Sequence, residues 1–470
     1  MTRLGIYVQV PFCQTRCTYC NFHTGVVASA RFVPYVAAVC AEMRERRTLY
    51  AAAGIGWGGA NGVNGAGEAA LASASEIFPQ RLKPVLSSDV VARPFVPQDE
   101  LKPCPGAGAR VETEGNATSG ELKPCPDENA EEKVEGESAR LLDDAVVDTV
   151  YVGGGTPSLL DPAHLQSLMD TVRSEFRTEL AEVTLEADPE TITAEKAAAW
   201  SRAGINRVSF GVQSFVDAEL IAAGRMHRRA DIYRAAPILR AAGIENISFD
   251  LIAGLPHQTR ESWGQSLTEL RELAPEHVSV YLLEIDEGSR LGAEVLRGGK
   301  RYSAGAIPTD DLMAELYETA CAELREAGYV HYEISNWGKP GRESKHNLKY
   351  WRREPYLGFG AGAHSFSGTE RWANAHDAAR YVESMEAGRL PVEQHEVLSA
   401  AKALEEELFL GLRQLAGIDI GAVERRYGVT LASRFDPLAM AGLVERDGDV
   451  VRLREGKLSV SNEVFVEIMK

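Results

Sequence analysis

No stretch of the sequence approaches the roughly 18 consecutive apolar residues that a membrane helix needs, and the opening LGIYVQV is too short and too strand-like for a secretory signal. A cytoplasmic protein that is not integral to a membrane is the expectation. Positive charge is also scarce: 50 Lys and Arg face 68 Asp and Glu, a net charge of −18 with a pI near 5.2. That balance gives a polyanion no electrostatic footprint, so nucleic acid is not an expected partner. Cysteine is sparse too, with seven in 470 residues, yet three of them fall within eight positions. So uneven a distribution is not a secreted disulfide framework. In a reducing compartment it points to metal or redox chemistry, and Asn116-Ala117-Thr118 then matches the glycosylation triplet by chance.

Gly and Pro are abundant but gathered in one place. Residues 52–142 hold 12 of the 43 Gly and 8 of the 21 Pro, with 14 acidic against 8 basic residues. This text has no apolar periodicity to offset the entropy of ordering it, so it reads as a flexible insertion, assigned to 52–145. About 380 residues then remain to fold.

In that remainder strands and helices alternate. Runs rich in Val, Ile and aromatics predict strands at Gly5 to Val10, Val146 to Val152, Val183 to Glu186, Arg207 to Val212, Ile247 to Ile252 and His277 to Leu283. Helical patterns lie between them at Arg31 to Tyr50, Pro162 to Phe176, Ala194 to Ala203, Asp231 to Ala242 and Arg260 to Leu273. Asp161 and Ser158 precede one helix, and Gly204 and Gly243 follow two others, as start and stop signals do. Parallel neighbours cannot be joined by tight turns, so this order demands right-handed crossovers and a parallel α/β sheet. A partial (β/α)6 TIM-like barrel is the expectation, with a doubly wound sheet as the alternative; both place chemistry at the carboxyl ends of the strands. The first unit spans 1–51 and the rest of the barrel 146–330. A Gly-punctuated connecting region follows at 331–395, and helix, helix and the hairpin-like VERDGDVVRL make 396–470 a small winged-helix-like domain.

Cys13, Cys17 and Cys20 form a CxxxCxxC loop directly after the first strand. Three thiolates on one loop can hold three irons of a [4Fe-4S] cluster and leave the fourth free. His23 as a fourth ligand would instead make a structural zinc site, and spacing alone leaves that open. After the second strand, Val152-Gly153-Gly154-Gly155-Thr156-Pro157 is a glycine turn whose backbone can approach a ligand closely.

With these two motifs the sequence resembles the radical S-adenosylmethionine (SAM) superfamily, almost end to end apart from the insertion. The resemblance implies that the unique iron binds SAM and that an electron from the cluster cleaves the sulfonium bond to a 5′-deoxyadenosyl radical. It assigns SAM contacts to Tyr7, Tyr19, Gly154, Gly155, Thr156, Glu186, Gln213, Arg225 and Asp250. Within the superfamily the likeness is to the branch of the coproporphyrinogen III dehydrogenases and the haem chaperones. The dehydrogenases carry a fourth Cys two positions after the triplet, where this chain has Phe22, and a longer segment before Tyr7. His346-Asn347-Leu348-Lys349-Tyr350-Trp351 resembles the HNxxYW motif that marks the chaperone side. These features favour a haem chaperone serving a client haem protein, respiratory and membrane-bound by the resemblance, over SAM-dependent decarboxylation of coproporphyrinogen III. His346 is the candidate haem ligand, with Tyr350 or Trp351 stacking on the ring, and His364 in GAHSF is a second candidate. A haem-linked homodimer is also implied.

One feature lies outside the resemblance. Glu100-Leu101-Lys102-Pro103-Cys104-Pro105 recurs as Glu121-Leu122-Lys123-Pro124-Cys125-Pro126 inside the insertion. Cys followed by Pro resembles haem-regulatory motifs, and a duplicated linker without function is the competing reading.

Overall fold

The computed structural model describes residues 2–22, 24–26, 29–52 and 145–469. His23 and the insertion with Cys104 and Cys125 lie outside the described residues.

The chain begins with β1 (Arg3–Val10), a small parallel ribbon of β2 (Phe12–Cys13) and β3 (Gly25–Val26), and α1 (Phe32–Ala52). Then come β4 (Val146–Gly154), α2 (Pro162–Glu175), β5 (Thr178–Ala187), α3 (Ala194–Ala203) and β6 (Arg207–Gln213). After α4 (Asp217–Ala222) and α5 (Arg229–Ala241) follow β7 (Asn246–Ala253), α6 (Arg260–Leu273) and β8 (His277–Leu282). The expected start signals operate. Asp161 accepts from the Ala163 N–H, Thr193 from Lys196, and Gly204 closes α3 at φ 93°.

In the large sheet β1, β4, β5, β6, β7 and β8 neighbour one another in chain order, all parallel. A doubly wound sheet reverses direction at a switch point, whereas unbroken order is that of a barrel wall. The barrel reading therefore holds. Segment 331–395 is more than a connection, because it supplies strands to both edges of this sheet. On the β8 side, α7 (Arg290–Leu296) and α8 (Asp310–Glu326) lead to β9 (Val330–Glu333) and β10 (Asn336–Gly338), and β10 pairs antiparallel with β8. On the other side, α9 (Lys345–Trp351) leads to β11 (Tyr356–Phe359), which adds parallel to β1, and then to antiparallel β12 (His364–Phe366), β13 (Glu370–Asn374) and, after α10 (Ala378–Glu386), β14 (Val392–Val397).

Strand parity divides the residues into two sets. Leu4, Ile6, Val8, Val150, Val152, Val208, Phe210, Phe249, Leu251, Val278 and Val280 point outward into the apolar core under the helices. The alternate row is polar: Tyr7 and Gln9, Thr149 and Tyr151, Glu182 and Glu186, Arg207 and Ser209, Ser248 and Asp250, His277 and Ser279. Parallel strands covered on both faces ordinarily read as continuous apolar runs. This barrel instead encloses a polar interior. On its outside, the Glu42 carboxylate of α1 accepts from the Gly360 N–H at 3.0 Å, Asn374 Nδ2 at 2.7 Å and the Tyr381 hydroxyl, tying α1 to the β11–β13 edge.

The C-terminal unit comprises α11 (Ala400–Arg413), β15 (Ile418–Asp419), α12 (Ile420–Tyr427), α13 (Ala432–Met440), the hairpin β16 (Val444–Asp447) and β17 (Val450–Leu453), and α14 (Ser461–Ile468). Its sheet order, β15-β17-β16, with helices packed against it, matches the winged-helix-like expectation.

Candidate functional site

The cysteine loop leaves β1 and is pinned on several sides. Gly155 and Thr156 donate their N–H groups to Val10 and Phe12 carbonyls at 2.8 and 2.7 Å, so the glycine turn after β4 lies directly against the loop. A Cβ at Gly155 would stand 2.4 Å from the Phe12 carbonyl oxygen and 2.9 Å from Cys13 Sγ. Only glycine permits that approach. Thr18 N–H bonds Ala223 O at 3.0 Å and its carbonyl accepts from Leu291 at 2.8 Å, anchoring the far side of the loop.

Cys13, Cys17 and Cys20 line one open cleft of about 1270 Å³, together with Tyr19, Gly154, Gly155, Thr156, Gln213, Arg225 and Asp250. A narrow inner cavity lies beside it, lined by Tyr7, Glu186, Arg207, His346 and Tyr350 among others. Phe22, Gly154, Asp250 and Tyr281 belong to both linings, so the spaces adjoin. Every expected SAM contact therefore faces one or the other space.

The strand ends aim these groups. Tyr151 donates to Glu186 Oε1 at 2.8 Å and the Gly154 N–H to Oε2 at 3.1 Å, which fixes the carboxylate at the rim of β5. Gln213 sits at φ 65°, where the register of β6 against β7 shifts, and this bulge turns its side chain into the cleft. Arg225 bridges the acid Asp188 and the Cys17 sulfur, the latter at 3.4 Å, and Thr156 Oγ1 donates to Asp188 Oδ2 at 3.1 Å. Asp188 is the residue that sequence reading missed. Its signal was parity, because it stands two positions beyond Glu186 in LEADPE, on the same inward row.

Burial pushes the Cys20 thiol up to about 11 and raises Cys13 as well, so metal must displace their protons to bind. The donor set fits a [4Fe-4S] cluster: three sulfurs around one open space, with a positive guanidinium at one of them and no protein side chain filling the centre. His23, the fourth ligand that a structural zinc site would need, lies outside the described residues. When bound, the cluster supplies the electron for chemistry on SAM. The three thiols would hold the cluster, and the polar groups lining the two spaces would orient SAM beside it and limit its contact with water.

The HNxxYW helix α9 closes the interior. Glu182 accepts from the Lys345 and His346 N–H groups, each at 3.0 Å, and from Ser344 Oγ at 3.3 Å, capping α9 from β5. His346 is 1% exposed; its Nδ1 pairs with Thr149 Oγ1 at 2.9 Å and its Nε2 with the Tyr350 hydroxyl at 2.8 Å. Burial lowers its pKa to about 3, so the imidazole is neutral. Neither nitrogen is open in this conformation. Trp351 corrects the expectation more plainly: it faces away from both cavities, beneath the Arg413 guanidinium at 4.4 Å, because the seventh helix position turns toward α11. His364 lies buried in β12 and lines neither space.

Comparison with known proteins decides the family. The radical SAM superfamily matches residues 118–270, and the HemN C-terminal domain matches 398–456. The heme chaperone HemW of Bacillus subtilis is 37% identical over 324 residues, which cover 67% of this chain and 84% of that protein. The chain belongs to the HemW family. A second HemW, from Lactococcus lactis, is 33% identical over 329 residues, covering 68% of this chain and 84% of that protein. Among solved structures, coproporphyrinogen III oxidase (HemN) from Escherichia coli superposes with a TM-score of 0.70 over 99% of this chain and 90% of that one, at 18% identity. That likeness establishes the shared fold. As a radical SAM protein, the chain belongs to a group whose resident cofactors are a [4Fe-4S] cluster and SAM. No described helix is long and apolar enough to cross a membrane.

Proposed function

We propose that this protein is a haem chaperone that carries a [4Fe-4S] cluster and SAM and hands haem to a client haem protein. The observation that carries the reading is the HemW likeness over 84% of the length of a relative so named. Two features support it. Phe22 places an apolar ring at the seam of both cavities, where the dehydrogenase pattern has a cysteine. His346 has features of a histidine suited to a metal: it borders the inner cavity, its ring is neutral, Nδ1 is held by Thr149, and Nε2 is bonded only to the Tyr350 hydroxyl. An incoming haem iron would replace the single Tyr350 hydrogen bond, at a cost of about 1 kcal/mol. Tyr350 would then be free to stack on the ring, and the client and any haem-linked dimer belong to the same proposal.

Incubation of the reconstituted, reduced protein with SAM and coproporphyrinogen III tests the assignment. The chaperone reading predicts that the porphyrinogen is recovered unchanged. Repeated turnover to protoporphyrinogen IX would replace it with the dehydrogenase reading.

A further inference from the structure

Arg207 opens β6 on the inward row and is 2% exposed. Its Nε and Nη1 have no hydrogen-bond partner. The other buried arginines among the described residues, Arg46, Arg371 and Arg413, each stand within 4.0 Å of a carboxylate, while Arg207 has none. A buried guanidinium without a counter-charge is costly, and the fold offers no relief here. Glu182, on the neighbouring inward row, is committed to capping α9. His277 and His346 are neutral and already bonded to Ser248, Tyr332, Thr149 and Tyr350. Directly across the register from Arg207, Thr184 is fully buried and its Oγ1 is also unpartnered. Unmet donors on adjacent strands thus share one level of the barrel; Arg207 borders the inner cavity, whereas Thr184 does not line it.

We propose that the Arg207 guanidinium forms a carboxylate-binding site at the floor of this cavity. The planar guanidinium takes both carboxylate oxygens through parallel N–H···O bonds. The acids at the other end of the space, Glu186 and Asp250, keep the ligand's negative group at the floor. Two sources share this chemistry: a free short-chain carboxylate, or a propionate side chain of haem. The second rests on the chaperone reading.

The test uses the full chain and sodium propionate as probe, with sodium chloride at equal ionic strength as control, and reads the thermal unfolding midpoint. Wild type is stabilised by propionate beyond chloride. Arg207→Met shows no propionate response and, without ligand, unfolds at or above the wild-type midpoint, because an unpaired buried charge has been removed. Indifference of wild type to propionate overturns the proposal. So does an Arg207→Met protein that melts lower or fails to fold, since the guanidinium would then be satisfied by the protein. Haem and haem dimethyl ester then separate the sources. If wild type binds haem about tenfold more tightly than the diester, and Arg207→Met does not discriminate, the site takes a haem propionate. Equal binding of the two assigns the site to a free carboxylate. If haem does not bind at all the chaperone reading falls, while the propionate result still judges the site.

Discussion

At position 155 a single methyl group decides whether the cysteine loop can rest on the glycine turn. The space beside Cys13 Sγ and the Phe12 carbonyl is too small for a Cβ, and the obstacle is backbone rather than a flexible side-chain tip. Gly155→Ala is therefore expected to displace Cys13 and lower the iron and sulfide content of the reconstituted protein, with the barrel's circular dichroism unchanged. Full cluster occupancy in that variant would contradict the geometry. Glu42 makes a second residue-scale prediction. Burial pushes its carboxyl up to about 7 from an ordinary value of 4.5, although three donors oppose the shift. In the unfolded chain the group ionises near 4.5, while the fold resists ionisation until about 7. Stability from this group is therefore complete below 4.5 and is lost as pH rises through that window, about 3 kcal/mol in all. Urea denaturation of wild type against Glu42→Gln from pH 5 to 8 should show the difference between them moving in wild type's disfavour. A constant difference would refute it.

The elements of the barrel are legible in sequence because the strands carry a β-branched or aromatic outer row and several helices have a cap or a stop. Ala194–Ala203 and Arg260–Leu273 are helices to the residue. Two things are not legible. The edge strands β9 to β14 are short and broken by glycine, so they have no periodicity of their own and exist because the free edges of β1 and β8 recruit them. The second is what α9 does. HNxxYW can be read as a ligand motif, yet only the fold shows that this helix is also the plug of a polar barrel, with His346 between Thr149 and Tyr350 and Trp351 turned toward α11. The closeness of the plug explains Gly5, where a Cβ would stand 3.0 Å from Lys349 Cδ and 3.2 Å from His346 Cε1. Gly5→Val should overpack this contact and lower the unfolding free energy by about 1–3 kcal/mol in urea titration. An unchanged midpoint would mean that α9 yields easily.

Across the molecule, chemistry is sorted by depth. Thiols and the glycine turn stand at the mouth, the carboxylates of Glu186 and Asp250 at the middle, and Arg207 with the α9 plug at the floor. The sorting follows from one parity rule applied to six parallel strands, which sends apolar side chains to the helices and polar ones inward. The order of the strand-end residues was readable from motifs. The inner cavity was not, because a polar residue at every second position is hidden among valines and isoleucines until the register is known. The account is tested most directly by anaerobic haem titration of the reconstituted full chain, followed by its Soret absorbance, beside His346→Ala. It predicts saturable binding with a sharp ligated Soret band in wild type and a band that is shifted and weakened in the variant. A wild-type protein that shows only the spectrum of free haem would contradict it.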